Sequence, residues 1–115
     1  MIRFSVTAAV IVGFSIAIGC TNNKKQTLLG NICDTTDTKF STVVNPIIES
    51  ECLSCHNNST AKGGVSLQGY DNVKANYPRV LSTINNGSMP QGQPKLEDCT
   101  ILKIQTWVNR GAKND

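Results

Sequence analysis

The sequence predicts an all-α fold, one small domain in which short helices pack around a centre that is not protein. Two stretches carry apolar residues at helical spacing: Val43, Val44, Ile47, Ile48 and Cys52 in the first, Ile101, Ile104 and Val108 in the last. No stretch reads as a strand. The core is also thin. About one third of the residues after Gly19 are apolar, with Phe40, Tyr70, Tyr77 and Trp107 the only aromatics, too little for a domain this size to dispense with disulfides, a metal or a cofactor.

The chain has 115 residues, room for one domain once any targeting segment is removed, which excludes most multi-domain enzymes. Its formal net charge is +3 and its 11 basic residues are scattered rather than clustered, so no nucleic-acid partner is expected.

Residues 1–19 have the layout of a secretory signal peptide: Arg3 near the start, then an uncharged, mostly apolar run over 4–18. That run is shorter than the ~20 apolar residues a membrane-spanning helix needs. It ends in Ala17-Ile18-Gly19-Cys20, which resembles a bacterial lipoprotein box, where the cysteine thiol is lipidated and becomes the new N-terminus. Ala17 stands where that box usually has Leu. The alternative is an uncleaved signal anchor with Cys20 as a buried thiol. Both readings tether the domain to a membrane in an oxidising compartment. Residues 20–39 form a polar spacer, with Leu28, Leu29 and Ile32 its one apolar cluster.

The domain proper occupies 40–115. Its first helix is expected from about 42 or 45 to 53, with Pro46 tolerated in the first turn. The Asn, Ser, Thr and Gly content of 57–69 predicts a loop whose softest point is Gly63-Gly64. Residues 70–75 and 78–84 predict two short helical pieces separated before Pro78, with Val80, Leu81 and Ile84 available to wall the centre. The last helix starts at Asp98 as cap and stops at Gly111 after Arg110, and Trp107 extends its apolar face onto the first helix.

The chemistry concentrates in Cys52-Leu53-Ser54-Cys55-His56. This C-x-x-C-H order is the attachment signature of haem c. Two thiols three positions apart can add across both vinyl groups of one porphyrin, and the adjacent imidazole then meets the iron from the same side. His56 is the only histidine in the chain. Two other readings use the same residues. A thioredoxin-like pair would need a βαβ setting, and a zinc site would need a fourth ligand with no second C-x-x-C to supply it.

A second axial ligand is offered by Met89, the one methionine outside the leader, in Asn86-Gly87-Ser88-Met89-Pro90. A thioether is soft and neutral and favours ferrous iron, so a Met/His pair raises the potential. Gly87 and Pro90 suit a constrained loop close to a porphyrin face.

From Phe40 to Ala112 these features resemble the class I c-type cytochromes, in particular small lipid-anchored bacterial monohaem members. The resemblance rests on the 52–56 motif, on Gly87-Ser88-Met89-Pro90, and on Lys95-Leu96 leading to Trp107-Val108-Asn109-Arg110-Gly111-Ala112. Val44 and Ile48 stand where the family often has Gly and an aromatic, which implies a looser crossing of the terminal helices. The resemblance implies a cytochrome c-like bundle around one covalent haem c, held by Cys52 and Cys55, with His56 and Met89 as axial ligands. It implies a carrier of single electrons rather than an enzyme, with no small-molecule substrate. Such a protein is exported, anchored to a bacterial membrane through lipid on Cys20, and faces the periplasm or the cell exterior, with redox proteins at the membrane surface as partners.

With those assignments Cys33 and Cys99 remain. In an exported protein they are expected to pair, closing a long loop worth ~4 kcal/mol in the chain-entropy model; two buried free thiols are the alternative. Two rival functions stay open at this point: a haem-based sensor or small peroxidase in which Met89 is not bound, and a thiol–disulfide exchange lipoprotein using Cys52 and Cys55.

Overall fold

A computed structural model of the chain describes residues 33–115. The expected leader at 1–19, Cys20 and the spacer up to residue 32 lie outside the described residues. Of the described residues 57% are helical and none is in a strand. A π-helical turn, Phe40–Val44, runs directly into α1, Asn45–Glu51; then come α2, Leu53–His56, a 3₁₀ turn, Lys62–Gly64, and two longer helices, α3, Tyr70–Asn85, and α4, Asp98–Asn109. No helix among the described residues is long and apolar enough to cross a membrane.

The first helical segment starts earlier than its spacing suggests, and Pro46 explains how. Pro46 sits at the start of α1 and can neither donate a hydrogen bond nor tolerate the carbonyl four residues back. The preceding turn is widened: the Val44 N–H reaches Lys39 O at 3.1 Å and the Asn45 N–H reaches Phe40 O. No side chain in the N-terminal flank caps this turn. Asp115 does so from the far end of the chain, its Oδ1 accepting the Phe40 N–H at 2.8 Å while its main-chain oxygen accepts the Ser41 N–H at 2.8 Å. Asp115→Ala is therefore expected to cost about 1 kcal/mol, the usual worth of an N-cap, measurable as a lower urea midpoint with unchanged slope.

α3 is one continuous helix through Pro78, not the two short pieces expected. Proline in a helix interior costs about 3 kcal/mol. Here Val73, Val80 and Ile84 are buried on one face, with Tyr70, Tyr77 and Leu81 packed beside them. The buried stripe spans both sides of Pro78, and each large apolar side chain so buried stabilises by about 1.5–3 kcal/mol, which outweighs the proline.

α4 buries Ile101, Ile104 and Trp107. Asp98 is its first residue rather than its cap; Glu97 holds the cap position and no side chain bonds there. Asp98 instead lies 3.4 Å from Lys95 in an exposed pair. At the other end Gly111 has φ +97°, its N–H bonds Val108 O at 2.9 Å, and the Ala112 N–H bonds Trp107 O at 3.0 Å. This paired closure is a Schellman motif, and only glycine takes that φ without strain.

The core has two ends. At one, Phe40, Tyr70 and Trp107 cluster with ring centroids 5.2–6.5 Å apart, and the Trp107 indole N–H donates to Lys113 O. Val44 and Ile48 are fully buried in the same core. From the aromatic end α1 and α3 run toward a cavity and α4 runs back.

Candidate functional site

Cys52 breaks the helical path expected to continue to residue 53. Its φ of −120° separates α1 from α2, yet its own N–H still bonds Ile48 O and its carbonyl accepts both the Cys55 N–H at 3.2 Å and the His56 N–H at 2.9 Å. That single turn puts Cys52, Cys55 and His56 on one side of the chain, since residues three and four apart share a helical face. Cys52 and Cys55 are free thiols and both are half-buried.

The loop that follows folds back over His56. The Leu67 N–H donates to His56 O at 2.7 Å, and His56 Nδ1 lies 3.0 Å from Val65 O. A carbonyl can only accept, so Nδ1 carries the proton and, in the neutral ring, Nε2 is left with a bare lone pair. Such a bond fixes the orientation of the ring. The fold-back relies on Gly63 and Gly64, at φ +65° and +73°, where residues with a Cβ are strained.

Met89 reaches the same region by a different route. α3 ends at Asn85, Gly87 follows in the left-handed region at φ +76°, and the Met89 N–H donates to Thr83 O at 3.2 Å. Thr83 O is one of the last-turn carbonyls that a helix cannot satisfy internally. Satisfying it pins the Met89 loop to the end of α3.

Cys52, Cys55, His56 and Met89 all line one cavity of about 750 Å³. The size suits an organic cofactor. Its apolar walls include Val65, Leu67, Val80, Ile84 and Leu96, and Lys62 and Arg79 stand on its lining. Of the three residues expected to wall the centre, Leu81 is the exception: it packs on the core instead. Thr100 and Glu97, at the start of α4, close the last side.

The donor set fits a covalently held haem. It offers two free thiols in one turn, an imidazole whose Nε2 is available, a thioether in the same cavity, apolar walls for a macrocycle and cations for its carboxylates. Among the described residues no three or more His, Cys, Asp or Glu side chains are placed to hold a metal ion together by themselves. The Cys52 thiol is pushed up to about 11 by burial, with Glu51 adding repulsion. A thiol so raised stays protonated near neutral pH.

The sequence singles out all four side chains, Cys52, Cys55 and His56 by spacing and Met89 by the composition of its loop. It gave no sign of the Val65 and Thr83 carbonyls, because any residue can supply a carbonyl, nor of Lys62 and Arg79, which only the fold brings to the cavity. Comparison with known proteins finds no matching family model, no matching curated protein and no matching solved structure.

Proposed function

We propose that the chain is a monohaem c-type cytochrome, anchored to a bacterial membrane through Cys20 and carrying single electrons between redox proteins. One observation carries this reading: Cys52, Cys55, His56 and Met89 converge on one cavity large enough for an organic cofactor. When bound, haem supplies a one-electron Fe(III)/Fe(II) couple.

Cys52 and Cys55 would hold it by thioether bonds, their placement set by the single turn of α2. His56 presents Nε2 as a ligand, and Val65 O keeps the ring from rotating away. Met89 offers its sulfur from a loop tied to Thr83 O. Val80, Ile84 and Leu96 exclude water from the cavity walls, which lowers the local dielectric and helps set the potential. With His56 and Met89 both serving as ligands, the iron would keep the same ligands in each oxidation state, and electron transfer would need little rearrangement. That ligand set would leave no open position for a substrate, which is what a carrier requires.

Met89→Ala tests the ligand set. The expected result is loss of the sulfur-to-ferric-iron charge-transfer band, carbon monoxide binding without denaturant, and a potential lowered by tens to hundreds of millivolts, within the ~0.8 V range that axial ligands command. An unchanged spectrum refutes Met89 as ligand. Carbon monoxide binding by the parent protein assigns it instead to the open-site sensors or peroxidases.

A further inference from the structure

α2 is a single turn, Leu53–His56, too short to hold itself, because a first helical turn fixes more backbone freedom than its few hydrogen bonds offset. The loop after it has little regular structure, yet it carries Val65 O to the His56 ring. Asn57 joins the two. Its backbone is extended, at φ −86° and ψ 171°, so the helix stops there, and its side chain bonds in both directions. Backward, Nδ2–H donates to Leu53 O at 2.8 Å in a part-buried bond. Forward, Oδ1 accepts the Ser59 N–H at 2.9 Å and the Thr60 N–H at 2.8 Å, as a cap does at the start of a turn. Its main-chain carbonyl accepts the Ala61 N–H at 2.8 Å.

That last bond holds a strained residue. Ala61 is left-handed, at φ +34°, where a Cβ crowds the backbone and the surroundings must impose the conformation. From there the chain turns through Gly63 and Gly64 and returns beside its outgoing arm. Asn58 ties the two arms: its N–H donates to Gln68 Oε1 at 3.0 Å, and its Oδ1 accepts the Ser66 hydroxyl at 2.6 Å. Next to those ties are the two contacts on the histidine, Val65 O at 3.0 Å from Nδ1 and the Leu67 N–H at 2.7 Å from His56 O. The carbonyl that orients the imidazole is thus delivered by a turn that Asn57 starts. Among the described residues, no other side chain of 57–68 bonds to α2.

We propose that Asn57 is a positioning residue for His56: by capping the return loop it sets, through Val65 O, the plane of the imidazole that meets the iron. The proposal rests on the haem reading given above, with His56 as ligand. Asn57 is not on the cavity lining, so it acts through the loop. The plane has an electronic consequence, because the orientation of an axial imidazole governs its overlap with the iron orbitals and so the g values of the ferric state.

The test uses the full chain matured with haem. In the reduced, diamagnetic protein the His56 ring N–H is expected as a separate proton resonance that exchanges slowly with D2O. Asn57→Ala should speed that exchange about fivefold, since loss of a cap lets the loop open more often, and should move the g values of the oxidised protein. Asn57→Ser keeps an oxygen able to cap the Ser59 and Thr60 N–H groups; its exchange should stay within about twofold of the parent, with parental g values. A lower Tm in Asn57→Ala with either readout unmoved overturns the proposal, and a serine variant that matches the alanine one overturns the cap as its route.

The parent alone supplies a further measurement, which decides the matter even if Asn57→Ala takes up no haem. The Ala61 amide, the Leu67 amide and the His56 ring N–H should exchange through one opening, with the same dependence on low urea; unrelated dependences overturn the proposal. A parent chain whose mass shows no thioether-linked haem overturns the carrier reading instead.

Discussion

Cys52→Ala combined with Cys55→Ala is expected to abolish haem retention through denaturation and to destabilise the domain by on the order of 4 kcal/mol or more, the effect of losing a ligand held at a thousandfold its dissociation constant. The reason is structural. The described core consists of a dozen buried apolar residues, concentrated between the aromatic cluster and the walls of a cavity of about 750 Å³. That space is lined by the buried Val80, Ile84 and Leu67 and by the half-buried Val65, Met89 and Leu96, whose remaining exposed surface a bound macrocycle would cover. Losing the group that fills it removes both transfer free energy and packing, and a cavity left in an apolar core costs stability in proportion to its volume. Circular dichroism should show a lower and broader thermal transition in the double variant. A variant that keeps its haem after denaturation contradicts attachment through these sulfurs, and one that loses haem but unfolds at the parent temperature contradicts the role of haem as core.

Opening the Cys33–Cys99 disulfide has the second-largest expected effect. The two cysteines are bonded, as expected from the sequence, with Cα atoms 5.4 Å apart, and Cys33→Ser with Cys99→Ser frees a loop with a sequence separation of 66, which the chain-entropy model values at ~4 kcal/mol. For a domain this size that corresponds to a fall of roughly 15–30 °C in Tm, read by differential scanning calorimetry of the oxidised parent against the double variant. A second contribution acts in the same direction. Cys33 is buried at 2% exposure, so its release uncovers surface as well as enlarging the unfolded ensemble. A fall below about 5 °C indicates that the bridge is strained or that the unfolded chain stays compact.

The parts of the fold that were legible in the sequence are those set by local chemistry. The helical spacing of Val44 and Ile48, and of Ile101 and Ile104, marks faces that are indeed buried, and Gly111 ends α4 because a Schellman closure needs its φ. The misread parts are those where tertiary packing overrides a local rule. Pro78 reads as a breaker, yet the continuous stripe from Tyr70 to Ile84 holds the helix together across it. Asp98 reads as a cap because its side chain is suited to one, but the chain enters the helix one residue earlier. Asp115 could not be recognised as the cap of the first turn, since 75 positions separate it from Phe40.

The candidate site divides along the same line. C-x-x-C-H is a pattern in which spacing itself dictates geometry, so three of its residues share one face whatever surrounds them. Met89 is legible only through its loop composition, and the fold brings it to the same cavity through the carbonyl of Thr83. The groups that orient His56 and Met89 are backbone atoms, which carry no signature in residue type.

The central claim is that a porphyrin is bound covalently through both thiols of the 52–56 turn. Its most direct measurement is the alkaline pyridine spectrum of the full chain, matured with a competent c-type assembly system, denatured and extracted with acidified acetone. The account predicts one haem per chain that stays with the protein and gives the spectrum of a macrocycle with both vinyl groups saturated. A colourless chain, or a haem that leaves with the acetone, contradicts it.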